Sequence, residues 1–130
     1  MKKFFIALFT VLFFISLVGC QSKEEKPLNF SGKGDYWTAD VVVTPGKDKK
    51  ENKKINLTYT GDDLNSINEF EFKLTGSNGQ WGMGAIKLDK EGKFEGESST
   101  RISEKTVESD QLVLTVTWNN QSEKIDLNSK

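Results

Sequence analysis

Leu112-Val113-Leu114-Thr115-Val116-Thr117-Trp118 is the stretch that decides the fold. Leu112, Leu114, Val116 and Trp118 alternate with Val113, Thr115 and Thr117. A period of two puts the first set on one face of a strand, toward a core. Asn119-Asn120 follows, and asparagine tolerates the left-handed backbone that a tight hairpin needs. Ile125 and Leu127 then resume the alternation, so the stretch predicts a strand, a two-residue turn and a returning strand.

The same reading extends backward along the chain. Trp37, Ala39, Val41 and Val43 alternate with polar neighbours until Pro45-Gly46 ends the run. Residues 47–54 read as a charged loop. Ile55, Leu57 and Tyr59 predict a second strand, and Phe70, Phe72 and Leu74 a third. Gly76-Ser77-Asn78-Gly79 is a strong turn signal. Trp81, Met83 and Ala85 begin a fourth strand, but apolar parity then shifts to Ile86 and Leu88. That shift predicts a β-bulge near Gly84 or Ala85. A short strand surrounds Phe94, and residues 100–107 read as an edge strand whose charges discourage pairing with other chains.

Seven or eight short strands with regularly spaced turns, and no helical period after residue 19, predict an all-β domain. The pattern is that of a single antiparallel β-sandwich of immunoglobulin-like architecture, with a small barrel as the alternative. The Cys-Trp-Cys framework of true immunoglobulin domains is lacking.

Ahead of this domain stands Met1-Lys2-Lys3, a run of about a dozen apolar residues, and Leu17-Val18-Gly19-Cys20. The run is short for a membrane span and has the charged start of a secretory signal peptide. Residues 1–19 are therefore expected to be a signal segment, 20–33 a cysteine and flexible tether, and 34–130 the β-domain. Leu17-Val18-Gly19-Cys20 resembles the lipobox of bacterial lipoproteins. That resemblance implies cleavage after Gly19 and a diacylglycerol thioether on Cys20, hence a lipid anchor on the outer face of the cell membrane. Two acyl chains give stable anchoring where one binds only marginally.

A second resemblance covers about a third of the chain. Gly34-Asp35-Tyr36-Trp37, and the closing run from Val116-Thr117-Trp118-Asn119-Asn120 through Glu123 to Leu127, are similar to the ends of small uncharacterised lipoproteins of Bacillus-type bacteria. In those relatives a glycine is usual where Asn120 stands. The resemblance implies location and fold, and no activity comes with it.

Composition narrows the chemistry. The chain carries 18 basic and 19 acidic residues, and without Lys2 and Lys3 the basic count falls to 16. A net charge near −3 on an exported domain argues against nucleic acid as a partner. There is no histidine, which excludes Ser-His catalysis, and one cysteine, which the lipid is expected to use. Zinc sites draw on His or Cys, so no metal and no cofactor is expected. Asp62-Asp63 reads as a solvated turn, and Glu95 and Glu97 as ordinary charges on a strand face.

Two candidate contacts remain. Trp81 opens the Gly-rich run Trp81-Gly82-Met83-Gly84, where missing side chains leave space beside the ring. Lys49, Lys50, Lys53 and Lys54 lie in a stretch of five lysines against Asp48 and Glu51, a candidate contact for an anionic surface. The expected protein is a monomeric, non-enzymatic binding or envelope-associated module. It meets the membrane through its lipid and touches an envelope protein or wall polymer. An enzyme or enzyme inhibitor with a site invisible in sequence is the alternative.

Overall fold

The computed structural model describes residues 26–77 and 79–130. The signal segment, Gly19 and Cys20 lie outside the described residues. The rest is all-β, as the alternation predicts. Eight strands run β1 Leu28–Lys33, β2 Trp37–Pro45, β3 Lys50–Tyr59, β4 Phe70–Gly76, β5 Gly79–Ile86, β6 Lys93–Arg101, β7 Leu112–Trp118 and β8 Gln121–Ser129. A single 3-10 turn, Leu64–Ser66, interrupts the β3–β4 connection.

All eight join in one nearly closed antiparallel sheet, in the order β5-β4-β7-β8-β1-β2-β3-β6. β8 is its corner. Gln121 to Leu127 pair with β7, and only Asn128 and Ser129 pair with β1. The two free edges are β5 and β6. β6 still meets β4 across the interior, where Phe94 lies 5.8 Å from Phe70 and 6.0 Å from Phe72, measured between ring centroids.

One face of every strand supplies the core. Leu112, Leu114, Val116 and Trp118 are buried, as are Ala39, Val41, Val43, Ile55, Leu57, Phe72 and Leu74. Trp37 sits at the centre of an aromatic cluster. Its ring meets Tyr59 at 5.3 Å, Phe70 at 5.1 Å and Trp118 at 5.6 Å. Offset and edge-on contacts of this kind add to the burial of large apolar rings.

Several boundaries differ from the sequence reading. Leu28–Lys33, assigned to the tether, is strand β1, and Phe30 is fully buried. Residues 28–33 therefore belong to the β-domain and not to a tether. β3 begins at Lys50, so the charged loop shrinks to a turn at 46–49. The edge strand is Lys93–Arg101, and residues 102–111 form a connecting loop that carries no strand.

The bulge falls where the parity shift placed it. Phe70 pairs with Ile86 and Phe72 with Met83, so Gly84 and Ala85 oppose Glu71 alone. Ala85 takes a φ of 55°, the left-handed value that swings the following Ile86 back to the core.

The β7–β8 hairpin is a two-residue turn. Trp118 pairs with Gln121, and Asn119 and Asn120 have φ of 46° and 60°. Positive φ at both positions defines a type I′ turn, in which glycine is preferred at the second. Asn119 is further tied down, since its Nδ2 donates to the Ser66 carbonyl at 3.0 Å. Asn120→Gly should therefore stabilise the domain, by about 0.5 kcal/mol. A urea midpoint that fails to rise would show that the Asn120 side chain contributes something the backbone geometry does not.

Candidate functional site

Strand directions sort the loops into two ends. The β1–β2 turn, the β3–β4 connection, the β5–β6 turn and the β7–β8 hairpin share one end. The β2–β3 turn, the 102–111 loop and the entry of the chain at Lys26 share the other. Leu28 pairs with Val43, so the chain enters two residues short of Pro45 and its turn.

The first end joins Gly34-Asp35-Tyr36-Trp37 to the β7–β8 hairpin. The Gly34 N–H donates to the Trp37 carbonyl at 2.8 Å, closing the β1–β2 turn. The Tyr36 N–H donates to Glu123 Oε2 at 3.0 Å, and the Tyr36 ring stands 5.7 Å from Trp118. The Glu123 carboxylate occupies the space where any side chain at position 34 would begin. Glycine there is a matter of room, and this constellation is a structural clasp. Trp37 and Trp118 belong to it as core residues.

Trp81 lies on the interior side of β5 but at the sheet's free edge. It is half-buried and packs edge-on against Phe72 at 5.3 Å. Beside it Met83 is 41 % exposed. A shallow hollow lies along this edge, lined by Trp81, Gly82, Gly84, Lys73 and Thr115. A Cβ at Gly82 would meet the Phe72 carbonyl oxygen, whereas Gly84 has room for one.

The lysines divide into three settings. Lys49 and Lys50 are exposed at the β2–β3 turn, with Lys47. The turn is built from Asp48 and Lys49, both at φ 58°, and closed by Gly46 N–H to the Lys50 carbonyl at 2.9 Å. Lys54 points outward from β3 and pairs with Glu95 at 2.6 Å. The hydrogen bond and charge of Glu95 hold the Lys54 ammonium above its ordinary pKa. Lys53 points inward. It is buried, and its Nζ lies 3.5 Å from Glu51 Oε1. Lys53 is thus no surface contact, because it has the parity of Ile55 and Leu57 and follows them into the interior.

Glu51 is the residue that sequence reasoning missed. It is 3 % exposed. Its carboxylate accepts from the Thr106 N–H at 3.0 Å and the Thr106 hydroxyl at 2.7 Å. Thr106 is buried too, so the pair pins the 102–111 loop across the open end of the sheet. A further bond runs from the Ile102 N–H to the Lys49 carbonyl at 2.9 Å. Ser98, level with Lys53 on β6, has a buried hydroxyl without a partner. The signal for Glu51 was its period-two spacing with Lys53, Ile55 and Leu57. Nothing in the sequence marks Thr106.

Between this loop, β1 and the β2–β3 turn lies a cleft of about 660 Å³. Its walls include Leu28, Val43, Pro45, Ile102 and Val107, and Lys26, Lys49 and Lys50 stand at its mouth. Elsewhere, burial raises the pKa of the Tyr59 phenol, with Asp63 adding to the effect. Asp62 and Asp63 are exposed, as a solvated turn requires. Among the described residues no group of three or more potential metal ligands converges, and no helix is long and apolar enough to cross a membrane.

The chain matches no protein family, no characterised protein and no solved structure. The geometry of its own residues carries the functional reading.

Proposed function

We propose that this chain is a lipid-anchored extracytoplasmic module, held at Cys20 after cleavage behind Gly19. It belongs with the small lipoproteins of Bacillus-type bacteria that its two ends resemble. It works by contact and not by catalysis. Its sheet folds over as an immunoglobulin-like sandwich, β6-β3-β2-β1 facing β8-β7-β4-β5, and the module is a monomer. The Phe94 contacts to Phe70 and Phe72 across the interior support the two-layer arrangement.

One observation carries the reading of what it touches. The Leu28–Val43 pairing sets the basic β2–β3 turn beside the point where the chain enters. Five residues separate Cys20 from Lys26, a reach of at most ~20 Å over the six intervening steps. A domain held so closely presents Lys47, Lys49 and Lys50 to the anionic headgroups of the bilayer. Its opposite end carries Asp35, Asp62, Asp63 and Asp89, so the charge distribution favours the same orientation.

Vesicle sedimentation tests this. A chain begun at Ser22 keeps all eight strands and the whole core. It should bind phosphatidylglycerol vesicles at low salt and release them near 1 M, where the Debye length shrinks from ~10 Å to ~3 Å. Lys47→Gln, Lys49→Gln and Lys50→Gln should each weaken binding about fivefold, at ~1 kcal/mol per lysine. Lys54→Gln should change it little, because Glu95 already neutralises that charge. Absent binding at low salt, or binding undiminished in the triple variant, would overturn the reading. Binding to purified wall polymer and not to vesicles would replace it.

A further inference from the structure

We propose that the cleft between β1, the β2–β3 turn and the 102–111 loop is a binding site for one acyl chain of an anionic amphiphile. The supply of that ligand from the bilayer rests on the orientation argued above; the chemistry of the cleft does not. A volume of about 660 Å³ falls within the range of small-ligand pockets, about 300–1,000 Å³. Leu28, Val43, Ile102 and Val107 give it apolar walls. Val107 is 49 % exposed, one of three large apolar side chains that the described surface displays. An exposed valine at the lip of an apolar cleft marks where a hydrocarbon chain would be covered.

The polar groups are placed to hold a headgroup at the mouth. Lys26, Lys49 and Lys50 come from the β1 and β2–β3 side. Glu104, Lys105 and Glu108 line the loop side, which is net acidic against the three lysines facing it, so an anionic head is drawn to the first side and the tail to the walls. Glu51 also borders the cleft, but Thr106 and Lys53 engage its carboxylate. Its charge therefore does not confront the ligand. The same bonds hold the loop that roofs the cleft, which makes the site preformed.

The test uses the full chain reconstituted into phosphatidylglycerol vesicles, with a palmitate analogue bearing a photoreactive diazirine near the chain end. After irradiation, adducts should concentrate on Val43, Ile102 and Val107. They should be lost in Ile102→Trp, and also in Val107→Trp, whose exposed position spares the fold. The corresponding neutral alcohol should label less, and Lys49→Gln or Lys50→Gln should lower palmitate labelling about fivefold each. A parallel sample omits vesicles and presents the probe as monomers in solution. Cleft labelling there, without vesicle sedimentation, would sink the membrane-facing orientation and leave the site standing. Sedimentation without cleft labelling would sink the site alone. Adducts spread evenly over the surface, full labelling in both tryptophan variants, or equal labelling by the neutral probe would each overturn the proposal.

Discussion

Trp37→Ala should lower the thermal midpoint by more than about 12 °C, the largest loss expected from any single side chain here. Trp37 is fully buried and is the hub through which Tyr59, Phe70 and Trp118 meet. Truncating a buried tryptophan costs about 3–5 kcal/mol, because the surrounding rings cannot close the cavity. A domain of this size has about 5–15 kcal/mol in total. Trp37→Phe separates shape from polarity. The indole Nε1 is buried without a hydrogen-bond partner, and an orphaned donor costs about 1–3 kcal/mol. Phenylalanine removes that donor while keeping a ring, so it should cost under about 2 kcal/mol. Equal losses for the two variants would show that the indole nitrogen is satisfied after all. An alanine variant melting within a degree or two of the parent would place the ring outside the core.

The second large effect is expected at the interior charge pair. Glu51→Gln should destabilise the domain by about 3–5 kcal/mol, since it leaves the Lys53 ammonium buried without its countercharge. The change also weakens the two Thr106 bonds that hold the 102–111 loop. Replacing both partners, Glu51→Leu with Lys53→Met, removes the desolvation cost along with the attraction. It should recover most of the loss. Urea midpoints of the two singles and the double form the cycle. If the double is as unstable as Glu51→Gln, the Thr106 bonds dominate and the ion pair contributes little. Hydrogen exchange at Ile102 and Thr106 reads the same point locally, with faster exchange expected in both variants.

Legibility followed how far each strand's neighbours were visible in the local pattern. β7, β4 and β2 alternate cleanly and were readable as strands with the correct buried face. The turn at Asn119-Asn120 and the bulge at Gly84-Ala85 were readable because each needs a particular local chemistry. β1 was not. Only Leu28 and Phe30 alternate, between a charged segment and Gly32, so the strand exists through its pairing with Val43 and Val41 and not through its own pattern.

The start of β3 was hidden by a different cause. Glu51 and Lys53 occupy interior positions, and the usual equation of charge with solvent failed because the two neutralise one another there. The candidate site suffered most. Lys49 and Lys50 could be read as exposed lysines, and Lys53 as one more of them. The cleft above them depends on Thr106, some fifty residues away, meeting Glu51. No spacing rule connects such positions.

The placement of β1 also has a mechanical consequence. Any pull delivered through the chain ahead of Lys26 reaches the domain at the start of this strand, directed along its axis. β1 is flanked by β2 over six residue pairs and by β8 at two more. When the opposite end resists, those hydrogen bonds are loaded together in shear and none can be peeled open singly. A force applied there would have to slide the strand out whole, dragging Phe30 from the core, before the domain could give way.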